Sequence, residues 1–189
     1  MPNVALDKFF DGLAIAEVSA QLDIDTSVDE TGGGVLNRAT YGTRLWGGTV
    51  AIVPMRHADA DRVAAKIQYL EEADVTFNLF INHLAANTPT TGSLTISAND
   101  RRIVTLSEAR PEGDIFGVVF DGTKRSMHRV AFVDGLVHTV VPAMPFGVAA
   151  SDVVTFGRPV IEAVMVAGSL PAYRARMTGA TSFSWRQTY

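Results

Sequence analysis

The sequence predicts a mainly β protein, a β-sandwich or split β-barrel with one short α-helix at about residues 57–73. Three observations carry this expectation. Val, Ile, Thr and Phe recur in short runs, the residues that suit a pleated, half-buried surface. Gly, Asn, Asp and Pro break those runs at short intervals, as turns between strands require. The apolar spacing changes to steps of three and four in one place only, after Pro54. A chain of 189 residues suits a single β-rich domain over 1–189, with room for an inserted hairpin region around 82–150.

Leu13 to Ile24 reads as one or two strands. The acidic run Asp23 to Glu30 leads into Thr31-Gly32-Gly33-Gly34, a flexible loop. No Gly-Lys-Ser/Thr follows those glycines, so they do not form a phosphate loop. Thr43 to Val53 alternates, and Gly47-Gly48 inside it predicts a tight bend or a bulge. The helix follows. Ala60, Val63, Ile67 and Leu70 form one apolar stripe, and Asp59 and Asp61 sit in the first turn, where the helix dipole favours negative charge.

Strands resume at Val75 to Ile81, followed by a loop from His83 to Thr91. Ser93 to Ser97 and Ile103 to Ser107 flank Asn99-Asp100, a hairpin turn. Ile115 to Phe120 ends at a turn opened by Asp121-Gly122. Met127 to Val141 is the clearest hairpin, with Asp134-Gly135 suited to a two-residue type I′ turn. Val153 to Val166 and Thr181 to Tyr189 are further strands.

Composition excludes several classes. There is no cysteine, hence no disulfide framework, thiol nucleophile or cysteine-ligated metal. The net charge is −4 and the 16 basic residues, 13 of them arginine, are scattered, which is unlike a duplex nucleic-acid binder. Arg101-Arg102 and Lys124-Arg125, the only adjacent basic pairs, read as solvated turn charges. Mean hydropathy is +0.16, yet no apolar run reaches the ~18 residues of a membrane helix, so no membrane insertion is expected. Met1 to Phe10 carries Asp7 and Lys8 and does not read as a signal peptide. Charged residues make up 19% against ~25% on average, which suggests that surface is buried against other chains.

No catalytic constellation stands out. Gly-x-Ser-x-Gly, His-Glu-x-x-His and EF-hand spacings are missing. The Asp134-Gly135 register pairs His138 with Ala131 and His128 with Val141, which puts the two histidines on opposite faces. His57 opens the helix and His83 a loop. Asp59, Asp61, Glu71, Glu72 and Asp74 belong to the helix ends and its solvent side. The expectation is therefore no enzyme, with no catalytic, cofactor-binding or metal-binding residues and no cofactor. A small hydrolase with two distant carboxylates ranks lowest. An alternative is a carbohydrate-binding β-sandwich module using exposed aromatics, drawn from Trp46, Trp185, Tyr41, Tyr173 and Tyr189. Trp46 and Trp185 lie in alternating patterns, however, and read as half-buried strand residues.

Several segments together carry a resemblance. Leu45-Trp46-Gly47-Gly48-Thr49-Val50 leads through Val53-Pro54-Met55 into the helix Ala58 to Leu70, then into Val75-Thr76-Phe77-Asn78-Leu79-Phe80. Later come Val154-Thr155-Phe156-Gly157-Arg158-Pro159-Val160 and Ala180-Thr181-Ser182-Phe183-Ser184-Trp185-Arg186. This order resembles the distal-tail or tail-tip proteins of long-tailed, non-contractile (siphovirus-like) bacteriophages and related gene-transfer particles. It covers residues 43–81 and 153–187. Arg186 departs from the acidic residue that often follows the aromatic in that family. The resemblance implies a structural virion protein of the tail tip: a β-barrel or β-sandwich core in a homo-hexameric ring. Its implied partners are the tail tube, tape-measure and baseplate hub proteins. The implied location is the distal end of the tail in the virion, after synthesis in the host cytoplasm.

Overall fold

The computed structural model describes residues 3–5, 15–23, 26–30, 36–40, 44–52, 57–72, 75–80, 90–157, 159–167 and 181–188. These residues are mainly β, with one helix, as expected. The first sheet contains β1 (Asn3–Ala5), β2 (Ile15–Val18), β3 (Gln21–Leu22), β6 (Trp46–Ile52), β7 (Thr76–Phe80), β15 (Val160–Met165) and β16 (Thr181–Gln187). Its order is β1–β7–β15–β16–β6–β2, and β3 also pairs with β6. All pairs are antiparallel except β1 with β7.

Helix α1 (His57–Leu70) covers the inner face of this sheet. Val63, Ile67 and Leu70, from its predicted stripe, share a core with Trp46, Val50, Ile52, Phe77, Leu79, Phe183 and Trp185. The alternation of β16 explains its share: Phe183, Trp185 and Gln187 are buried, whereas Ser182 and Arg186 are exposed, as period-two geometry demands.

The Gly47-Gly48 expectation is corrected. β6 pairs with β16 without a break from Ile52 to Gly47, and the irregularity lies in β2, between Ile15 and Glu17. The glycine serves a close approach: a Cβ on Gly48 would lie 2.1 Å from the Ser19 carbonyl oxygen. Ser19 crosses there, donating its N–H to Thr49 O at 2.9 Å.

Residues 90–156 form a second sheet, inserted between β7 and β15. Its strands are β8 (Thr90–Gly92), β9 (Leu94–Ile96), β10 (Ile103–Leu106), β11 (Ile115–Phe120), β12 (Lys124–Asp134), β13 (Val137–Val141) and β14 (Val153–Phe156). The order is β8–β14–β11–β12–β13–β10–β9. Its two ends, β8 and β9, are consecutive pieces of one chain segment joined at Ser93, so the sheet curls round on itself as a small near-barrel. Gly92 makes it feasible, because a Cβ there would lie 2.3 Å from Ser107 Oγ and 2.7 Å from the Phe156 ring. The barrel has its own core, including Leu106, Phe116, Phe120, Val140 and Phe156. The described part of 82–150, residues 90–150, holds six of this sheet's seven strands, and the seventh, β14, comes from the quoted Val154–Val160 stretch.

A third unit is the ribbon of β4 (Thr26–Glu30) and β5 (Leu36–Thr40), paired antiparallel. The predicted glycine loop 31–34 lies outside the described residues, as do His83 and Asp74.

Candidate functional site

The barrel interior holds the polar groups that most resemble chemistry. The β12–β13 turn is one residue later than the sequence predicts: Asp134 pairs with Val137, leaving Gly135 and Leu136 as the loop. Gly135 takes φ +61°. A register shift between Val130 and Phe132 then inserts a bulge at Ala131. A bulge switches the facing of every residue beyond it. His128 and His138 therefore share the interior instead of opposite faces, and both are 0% exposed.

Their nitrogens are all engaged. His128 Nδ1–H donates to the Pro142 carbonyl at 2.9 Å, and its Nε2 accepts from the Ser126 hydroxyl at 2.8 Å. His138 Nδ1–H donates to Leu136 O at 2.8 Å, and its Nε2 accepts the Arg110 N–H at 3.0 Å. Each ring is thus neutral with its tautomer fixed by carbonyl acceptors. Burial pushes the His128 pKa down to about 4, against the raising effect of the Pro142 bond. The Ser126–His128 contact has the distance of a nucleophile–base pair, but Ser126 is also 0% exposed, so no substrate reaches it. Among the described residues no group of three His, Asp or Glu could hold a metal ion. No described helix is long and apolar enough to cross a membrane.

The barrel is fastened to the first sheet through β12. β13 parts from β12 after the Arg129–Val141 pair. The carbonyls of Met127 and Arg125 beyond that point need other donors, since buried backbone groups are nearly always paired. Trp46 Nε1–H donates to Met127 O at 2.7 Å, and Gln187 Nε2 donates to Arg125 O at 3.2 Å. Gln187 Oε1 also accepts the Trp46 backbone N–H at 3.2 Å. The Arg129 guanidinium lies over the Trp46 ring, 5.4 Å from its centroid. Ile115 and Met127 of the barrel enter the core of the first sheet.

The outer surface offers two further features. Met144 and Val148 anchor the loop 142–152 in the barrel core. Arg101 grips it from the β9–β10 turn, donating to the carbonyls of Met144 (2.8 Å), Pro145 and Val148 (3.2 Å). On this fixed loop Phe146 is 94% exposed, with Arg101 5.4 Å from its ring centroid. On the first sheet a cleft of about 490 Å³ is lined by Ser19, Gln21, Asp23, Gly47, Gly48, Thr49, Val166, Ser184, Trp185 and Arg186. Arg186 pairs there with Asp23 at 3.1 Å, both partners being half exposed.

No family model matches the chain, and neither does any curated protein.

Against this geometry the sequence expectations divide. Trp46 and Trp185 are 2% and 1% exposed, more buried than their strand pattern predicts, and neither can stack on a sugar. Tyr41, Tyr173 and Tyr189 lie outside the described residues. Arg102 is a turn charge paired with Asp100 at 2.8 Å, but Arg101 is a structural clamp. Lys124 pairs with Asp121 at 2.7 Å. Glu71 and Glu72 follow the helix, half-buried and exposed. Sequence reasoning missed Phe146, although an aromatic held between Pro145 and Gly147 in a loop signals display rather than burial. It also missed the role of Gln187, which nothing in its neighbours signals.

Proposed function

We propose that this chain is a structural protein of the tail tip of a long-tailed, non-contractile bacteriophage or related gene-transfer particle. It forms a homo-hexameric ring joining the tail tube to the baseplate hub. One observation carries the reading: most of the segments that bear the resemblance are neighbours in space. β7, β15, β16 and β6 are four adjacent strands of one sheet, with α1 packed on their inner face. Most of a resemblance scattered along the sequence thus falls on one sheet, while Val154–Phe156 of its quoted stretches lies in the barrel with the described part of the unmatched middle, residues 90–150.

The chemistry of the molecule agrees. Its serine–histidine pair is sealed, and its outward features are an exposed aromatic, a polar cleft and strand edges, which suit contacts rather than turnover. Ring assembly explains a charged fraction of 19%, because heterologous contacts around a closed ring bury surface on every copy. The ring sits at the distal end of the tail in the virion, contacting tube, tape-measure and hub proteins.

The test is co-assembly. Purified chain is mixed with tube and hub proteins from the same particle, then followed by light scattering and negative-stain imaging. A ring of about 122 kDa, six times the 20.3 kDa chain, bound to the end of tubes is expected. Failure to assemble with any tail protein overturns the reading.

A further inference from the structure

The first sheet and the β4–β5 ribbon both carry strands with an unpaired side among the described residues. Among the described elements β4 and β5 pair only with each other, and no other described element packs extensively on either. A two-stranded ribbon is marginally stable in water by itself, and a third strand is what makes it persist. The ribbon starts four residues after Leu22 of β3, a link of at most about 14 Å. It is thus tethered at the edge of the sheet formed by β2 and β3. The opposite edge of the strand order is β1, five strand positions away. β1 is hydrogen-bonded to β7 on one side, and no described strand pairs with its other side.

We infer that the β4–β5 ribbon of one copy pairs along the free side of β1 in the next copy. The occupant is a second copy because one chain supplies both halves of the contact, at opposite edges of one sheet. That arrangement is head-to-tail, the kind of contact that closes into a ring when the rotation fits. Main-chain hydrogen bonds supply the binding, so the contact asks little of side-chain identity. The inference rests on the ring reading and names its subunit contact.

The natural chain has no cysteine, so introduced thiols are unique labels. Asn3→Cys protein is mixed with Ser27→Cys protein, and separately with Ala39→Cys protein, and treated with a short bis-maleimide. Positions 27 and 39 face each other across the ribbon, so between them they report on both of its edges. Covalent dimer is expected in at least one mixture and is lost when either partner is treated alone. In parallel, light scattering compares the natural chain with a variant whose residues 26–40 are replaced by a Gly-Ser linker; the higher-mass species is expected to disappear. Should that variant misfold, the cross-linking result decides. An assembled natural chain with no cross-link in either mixture overturns the ribbon contact and leaves the ring standing. A natural chain that stays monomeric at every concentration overturns the self-contact, and the ring reading is then judged by co-assembly with tube and hub proteins.

Discussion

Trp46 and Trp185 are buried in the same core, yet their indole N–H groups differ in what they meet. That of Trp46 donates to Met127 O, whereas that of Trp185 is buried with no partner among the described residues. Trp46→Phe strands the Met127 carbonyl and is expected to cost about 1–3 kcal/mol. Trp185→Phe removes an unsatisfied donor, so its loss in packing is partly offset and its urea midpoint falls less. Equal shifts in the two midpoints would contradict this account. His128 gives a second prediction at the same scale. Its folded pKa of about 4 lies below the ordinary 6.5, so the unfolded chain takes up a proton that the folded chain refuses. The stability tied to His128 is full above pH 6.5 and falls as pH drops toward 4, by about 3 kcal/mol in total. His128→Phe is expected to flatten that part of the pH–stability curve, measured as the difference between variant and parent denaturation.

Two elements depend on a single side chain or its absence. Arg101 holds the loop 142–152 through three carbonyls, a task for a planar fork that lysine cannot match. Arg101→Lys is expected to speed amide exchange at residues 144–148 while leaving the β11–β12 amides protected; unchanged exchange would show that Met144 and Val148 hold the loop unaided. Gly48→Ala places a methyl on the Ser19 carbonyl and is expected to cost about 1–3 kcal/mol, with β2 and β3 the first strands to lose protection. The sequence shows most elements clearly. The helix stripe at Val63, Ile67 and Leu70 and the strand alternation at Phe183 and Trp185 are local patterns, and both match the structure. What it hides is non-local. The bulge at Ala131 leaves no mark in composition, yet it moves His138 to the face of His128. The burial of Gln187 depends on a carbonyl 62 residues away.

At the scale of the whole molecule, the two cores are joined by Trp46, Gln187, Ile115 and Met127, so the barrel and the first sheet should unfold together. The only tryptophans, Trp46 and Trp185, lie in the first sheet. Tryptophan fluorescence therefore reports on that sheet, whereas far-ultraviolet circular dichroism reports on all strands. Coincident transitions are expected, and a separate second transition in the dichroism would show that the barrel is a detachable unit. The pairing of Thr90 with Phe156 gives the same molecule another property. The barrel begins and ends at adjacent backbone positions, about 5 Å apart, while β7 and β15 on either side are themselves antiparallel neighbours. To the host sheet, the whole barrel occupies the place of a hairpin loop. A lineage could exchange it for another cassette, or dispense with it, without altering the strand order of the host. It would need to supply new partners for the indole of Trp46 and the amide of Gln187, and new packing where Ile115 and Met127 enter the first core.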